Sequence, residues 1–397
     1  MYINVDNLFT INKIRNIMGF YIFMTNNHVT KVIVSKQTRN KLKYSMENVT
    51  INSMIMPISN ETEYINLLSV FAADITLTII ACTLSFLGSA FIFCAYCVVD
   101  SLRPENETRR LLLYLTVSDL LVALGNFIGT IRFIIIYDNK PFYANSGEEL
   151  ASDNVCIVQS FITVTGSMWS FCWNTAIAIH LCVALVYCRN GTWSRKVKIF
   201  CHSVCWLLPL SVAIAAAKFE VLGEDFAQVT GTWCWIKSSL SRSDRILWMI
   251  TSCKGWELVS YFVTCIMFLY LKGYMWRQKK RFNQRRFNDV SLRLRAEDEN
   301  YLYLWLIGYC LRIWGTLRFF LFVSGNSSND KPYTDINFAL VHLESFGDSS
   351  KAFFTFILFC IADKTTRQLL LNKICRRRRD YEEILQSCNA EPNNEQF

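Results

Sequence analysis

The sequence predicts an all-α integral membrane protein: a seven-transmembrane-helix bundle with its amino terminus extracellular and a short amphipathic helix after the seventh span. Three observations carry this reading. Of 397 residues, 52% are hydrophobic and only 18% charged, where a soluble chain usually carries nearer a quarter. Seven apolar stretches follow one another at loop-length spacing, each long enough at ~1.5 Å per residue to cross a ~30 Å hydrocarbon core. Lysine and arginine, finally, concentrate in alternate loops.

Residues 1–73 form a polar amino-terminal tail rich in Asn, Thr, Ser and Ile. Its apolar piece, Ile17–Met24, is short and interrupted and lacks a small-residue cleavage site after it, which argues against a signal peptide. Asn48 and Asn60 open N-x-T glycosylation acceptors and place the tail outside the cell. The basic stretch Lys31, Lys36, Arg39, Lys41 and Lys43 sits awkwardly in front of them. The expectation, as a hypothesis, is that Met46 is the true start and residues 1–45 are a gene-model extension; a peptide from residues 1–40 in the mature protein would refute it.

The bundle occupies residues 74–362. Its first span is Ile75–Val99, with Ser85, Gly88 and Ser89 as small residues that let helices approach closely in lipid. The second, Leu111–Ile136, carries Asp119 about a third of the way along. The third, Asn154–Arg189, is apolar for about thirty residues and needs tilt to fit. Val197–Ala217 is the fourth, where Pro209 predicts a kink whose freed backbone groups neighbouring helices meet. Ile246–Met275, Tyr301–Val323 and Phe338–Ala362 complete the set. Residues 363–375 alternate basic and Leu/Ile positions at helical spacing and read as an amphipathic helix on the membrane surface, before a cytoplasmic tail, 376–397.

With the amino terminus outside, the inner loops receive Arg103, Arg109 and Arg110, then Arg189, Arg195, Lys196 and Lys198. They also receive the Lys279–Arg286 cluster and Arg376–Arg379. The outer loops receive few: Lys140, then Lys237, Arg242 and Arg245, then Lys331. The sequon at Asn326 then falls outside as well, while those at Asn106 and Asn190 fall inside and stay unmodified.

Most of the sixteen cysteines lie within apolar runs, where they act as small hydrophobes. No paired CxxC and only four histidines leave no metal motif, and no nucleophile–base arrangement or phosphate-cradling glycine loop appears. The expectation is a protein that is not an enzyme, with no catalytic residues, no metal and no cofactor. Cys156 and Cys234 are the only cysteines at or in an outer loop. In an oxidising exterior they are either a bridge or two unrelated thiols. Cys375, ahead of four arginines, reads as a palmitoylation site or an unmodified thiol. The basic segment 276–300 needs no nucleic acid, since acidic lipid accounts for it and a cytosolic partner is compatible.

Charges inside the spans carry the candidate site: Asp119, Lys254, Glu257, Arg312, Arg318, Glu344, Asp348 and Lys351. An unpaired charge there costs at least ~2.5–3.5 kcal/mol, so each needs a partner. Lys254 and Glu257 are three apart on one helix face, and Glu344, Asp348 and Lys351 form one stripe at i, i+4 and i+7. By depth, Arg312 is level with Asp348 and Lys351, and Arg318 with Glu344. These charges read either as salt bridges fixing helix packing or as a polar ligand pocket or switch. A retinal Schiff base at Lys351 is a weaker reading than a salt-bridged lysine.

The stretches RRLLLYLTVSDLL (Arg109–Leu121), CIVQSF (Cys156–Phe161), SFCWNTAIAIHLCVAL (Ser170–Leu185), GTWCWI (Gly231–Ile236) and IWGTLRFFLF (Ile313–Phe322) resemble the cyclic-AMP-receptor-like group of G-protein-coupled receptors. Among animal proteins they look most like the orphan G-protein coupled receptor 157 group, over residues 74–375. The resemblance implies the Cys156–Cys234 bridge and an unknown extracellular ligand. It also implies signalling through a heterotrimeric G protein to the phospholipase C branch, and a plasma-membrane or ciliary address. The chain departs from rhodopsin-like receptors, having Leu185-Val-Tyr-Cys-Arg189 where those carry an acid-Arg-aromatic triplet. Arg312 with the acidic stripe is the candidate for the missing lock. A seven-helix channel or transporter, using the interior charges as an ion path, is the alternative. Ionic current unaffected by G-protein depletion would favour it.

Overall fold

The computed structural model of the protein describes residues 61–98, 107–137, 154–186, 194–225, 230–281, 306–324, 331–362 and 366–373. Asn48, Asn60, Asn326, Cys375, Tyr187–Arg189 and the inner basic segment 282–305 lie outside the described residues. Four long helices come first: α1 (Glu61–Val98), α2 (Glu107–Tyr137), α3 (Asn154–Val186) and α4 (Arg195–Lys218). Ser194 caps α4 by accepting a hydrogen bond from the Val197 N–H, and Pro209 lies within it. An indole from α3 reaches the backbone beside that proline, with Trp169 Nε1 donating to the Trp206 carbonyl at 3.0 Å.

α4 ends in a turn that aims the chain back over the bundle. Val221 N–H bonds to the Ala216 carbonyl and Glu220 N–H to that of Ala217, each at 3.1 Å. This is the Schellman pattern, with Glu220 at φ 53° in the left-handed position that glycine usually fills. Strand β1 (Leu222–Gly223) follows and pairs antiparallel with β2 (Trp235–Ile236), in register Leu222 to Ile236 and Gly223 to Trp235.

Two further runs are interrupted helices. α5 starts as Arg242–Met249, capped by Ser241, widens through a π turn at Ile250–Lys254 and continues as Gly255–Arg281. α6 is Leu306–Ser324. α7 runs as Lys331–Ser349, breaks at Ser350, resumes as Lys351–Phe356 and ends in a π turn at Ile357–Ala362. Residues 366–373 form a last short helix, α8, whose Leu369 and Leu370 pack with Ala95 and Tyr96 of α1. That contact turns part of its apolar face toward protein.

Among the described residues, five helical segments are long and apolar enough to cross a membrane: Ala72–Cys97, Arg109–Ile136, Asn154–Val183, Arg195–Lys218 and Leu306–Ser324. The protein is thus a multi-pass, helical membrane protein. α3 packs against α2, α4, α5 and both strands. Its Trp173 is fully buried in a core with Leu112, Leu115, Ile307, Leu311, Phe346 and Phe354.

Candidate functional site

The charges singled out within the spans each lie beside an opposite charge among the described residues. Lys351 Nζ lies 3.0 Å from Asp119 Oδ1 of α2 and donates to Ser170 Oγ of α3 at 2.6 Å. Ser170 Oγ in turn donates to Asp119 Oδ1 at 2.7 Å. The stripe reading pointed Lys351 toward Asp348 and Glu344 on its own helix. The break at Ser350 separates Lys351 from those residues, and the ion partner in the structure is Asp119.

One turn earlier on α7, Asp348 Oδ1 lies 3.0 Å from Arg312 Nε, and Arg312 Nη2 donates to Ser167 Oγ of α3 at 3.1 Å. The Arg312 guanidinium stacks 4.5 Å from the Phe171 ring, which the Lys351 ammonium approaches to 5.7 Å from its other contacts. Nearer the amino-terminal end of α7, Arg318 Nη1 pairs with Glu344 Oε2 at 2.5 Å, and Arg318 Nε donates to Asn337 Oδ1 at 3.1 Å. On α5, Lys254 Nζ and Glu257 Oε2 are 3.0 Å apart. Glu257 Oε1 also accepts from Tyr261 at 2.5 Å and from Thr316 of α6 at 2.8 Å.

The pairs therefore clasp α7 to α2 and α6, and α6 to α5, around serines and a phenylalanine of α3. Beside the Lys351–Asp119 pair is a cavity of about 20 Å³ lined by Leu115, Asp119, Ser170, Asn174, Lys351 and Thr355. That is room for a single water. Ser349, next to the break, is held from two sides: Ser85 of α1 donates to its carbonyl at 2.6 Å, and Asn126 of α2 to its Oγ at 3.0 Å.

Over one end of the bundle lies a lid formed by residues 221–225 and 230–236. Cys156 and Cys234 are bonded, with Cα atoms 5.6 Å apart. Cys234 N–H donates to Gln159 Oε1 of α3 at 2.9 Å, and Thr232 and Thr130 hydroxyls meet at 3.0 Å. Trp233, Cys234, Trp235 and Ile236 are all buried. Two glycines make this seating possible. A Cβ on Gly129 of α2 would stand 2.6 Å from the Trp233 Cβ, and one on Gly231 would stand 2.5 Å from Ser345 Oγ of α7.

Two ion pairs hold the lid that the sequence reading did not single out. Arg132 of α2 meets Glu224 at 2.6 Å, and Arg245 of α5 pairs with Asp225, which also accepts from Thr230 N–H at 2.8 Å. Arg132 had a signal, since it is an arginine within the predicted second span. Glu224 and Asp225 had none, being ordinary acids in a polar loop.

A membrane-crossing helical bundle with a charge-paired interior and a disulfide-tethered lid is the class of protein that these features define. No family model matches the chain. It is similar to the mouse protein named G-protein coupled receptor 157, 27% identical over 303 residues, which is 75% of this chain and 84% of that protein. Its likeness to the human protein of the same name is 27% over 299 residues, 74% of this chain and 82% of the relative. Cyclic AMP receptor-like protein A of Dictyostelium discoideum is 24% identical over 190 residues, covering 48% and 42% of the two chains. The resemblance drawn from the motifs is borne out by these relatives.

Proposed function

We propose that this chain is a receptor that passes an extracellular signal to a heterotrimeric G protein. The observation that carries the proposal is the similarity, along three quarters of the chain, to proteins named G-protein coupled receptor 157. On this reading α1 to α7 are seven spans, with α5 and α7 crossing despite their interruptions and the amino terminus outside, as the lysine and arginine bias argues. Asn48, Asn60 and Asn326 are then glycosylated, Cys375 is acylated, and the chain resides in the plasma membrane in contact with membrane lipids. Coupling to the phospholipase C branch and a ciliary address belong to the same proposal.

Mechanistically, a ligand that favours one arrangement of α6 and α7 shifts the population toward it and opens the inner face between α3, α5 and α6. The ion pairs on α7 give that equilibrium its discrete states, because exchanging a buried partner is an all-or-none event. Nucleotide exchange on purified G proteins, run across subtypes with the chain in lipid nanodiscs, tests the proposal. Stimulated exchange supports it. Ionic current through the reconstituted chain, with no exchange on any subtype, would overturn it in favour of the channel alternative, which the relatives do not favour.

A further inference from the structure

Where α1 and α7 meet beside the lid, a carboxylate, a hydroxyl and an imidazole nitrogen gather with no hydrogen bond to any of the three among the described residues. Asp74 of α1 is 1% exposed, and neither of its carboxylate oxygens has a hydrogen-bond partner among the described residues. Ser345 of α7 is fully buried, and its Oγ is likewise without a partner. His342, one turn earlier on α7, turns an equally unpartnered Nδ1 toward Asp74 Oδ1, at 3.7 Å. Asp74 Oδ2 and Ser345 Oγ flank a single point, the place where a Gly231 side chain would begin, at 2.8 and 2.5 Å.

A buried carboxylate met only by an imidazole at 3.7 Å, with no hydrogen bond to either oxygen among the described residues, is a costly group for a fold to keep. Other buried acids at this end have cations: Glu224 has Arg132, Asp225 has Arg245 and Glu344 has Arg318. Asp74 faces an imidazole and a hydroxyl instead. Carboxylate oxygen and imidazole nitrogen together are the donor set of a divalent transition metal. Around a tetrahedral zinc ion with bonds of ~2.0–2.2 Å, two ligand atoms stand about 3.3–3.6 Å apart, close to the spacing seen here. A Cβ on Gly231 would already crowd the cluster, which favours an ion over the larger carbon frame of an organic amine. His342 keeps 22% of its side chain exposed, which provides a way in.

We infer that Asp74 and His342 form a zinc-type metal site that staples α1 to α7 beside the lid, with Ser345 as a polar neighbour and water completing the coordination. Two protein ligands make it an open site that loads and unloads, hence a modulatory one. This inference does not depend on the receptor reading.

The test uses the full chain in lipid nanodiscs and zinc ion alone, with magnesium as comparator. Isothermal titration is expected to show one zinc per chain, and the melting midpoint to rise by at least about 2 °C at saturation by mass action. Both effects are lost in Asp74→Asn and in His342→Gln, and both survive in His202→Gln, which alters a histidine of α4. Because the midpoint shift is read within each variant, with and without zinc, a variant of lower basal stability remains informative. Wild-type chain that neither binds nor responds to zinc overturns the inference. So does a zinc response that persists in both substituted chains, or a response to acid alone.

Discussion

Lys351 and Asp119 meet 3.0 Å apart in the bundle interior, joining α7 to α2, with the Ser170 hydroxyl bonded to both. Each comes from a helix that would otherwise carry an isolated charge in hydrocarbon. Asp119→Asn leaves the ammonium buried without its counter-charge, and the expected loss is about 3–5 kcal/mol. The double variant Asp119→Leu, Lys351→Met removes both charges and is expected to recover most of that loss. Thermal melting of the three chains in nanodiscs checks this; a double variant no better than the single one counts against the pairing.

The Arg318–Glu344 pair links α6 to α7, with Asn337 as a second acceptor for the arginine. A double-mutant cycle with Arg318→Met and Glu344→Gln is expected to give a coupling energy of about 1–3 kcal/mol. A coupling near zero would mean that the two side chains act independently.

Cys234→Ala releases the lid from α3. Surface expression is expected to fall by at least about half, and the remaining protein to melt at the same temperature with or without reductant. Removing a native disulfide typically costs about 2–5 kcal/mol. Normal trafficking of this variant would remove the case for an architectural bridge.

Gly231→Ala drives a methyl group toward Ser345 Oγ and Asp74 Oδ2 at once. Since both sit on helices, the lid must lift, at a cost of about 1–3 kcal/mol for overpacking. Faster hydrogen exchange in residues 230–236, read by mass spectrometry, is the expected signature. Unchanged protection there would show that α1 and α7 yield instead.

Helix existence was legible because long apolar runs with charged flanks leave few other solutions in a membrane. Charge pairs within one helix were legible for a similar reason: the three-residue spacing of Lys254 and Glu257 alone puts them side by side. Pairs between helices were harder. These spans are apolar nearly all round, so their sequences carry little information about how each is rotated on its axis. Asp119 therefore had no visible reason to choose Lys351. The break at Ser350 was equally hidden, because serine is tolerated in helices and what marks the site is tertiary, the bonds from Ser85 and Asn126 to Ser349. Asp74 lies one residue before the predicted first span, where an acid gives no sign that it will be buried.

The buried lid sets a thermodynamic condition on any signal from outside. Trp233 and Gly231 already fill the mouth between α1, α2, α3 and α7, so a ligand entering there competes with a stretch of the protein's own chain held at a very high effective concentration. Its apparent dissociation constant is the intrinsic one divided by the fraction of molecules whose lid is lifted. If one chain in a hundred is open, about 100-fold of affinity is forfeited before any contact is made. Loosening the lid at Arg132 or Arg245 would therefore tighten the apparent affinity of any ligand that enters there.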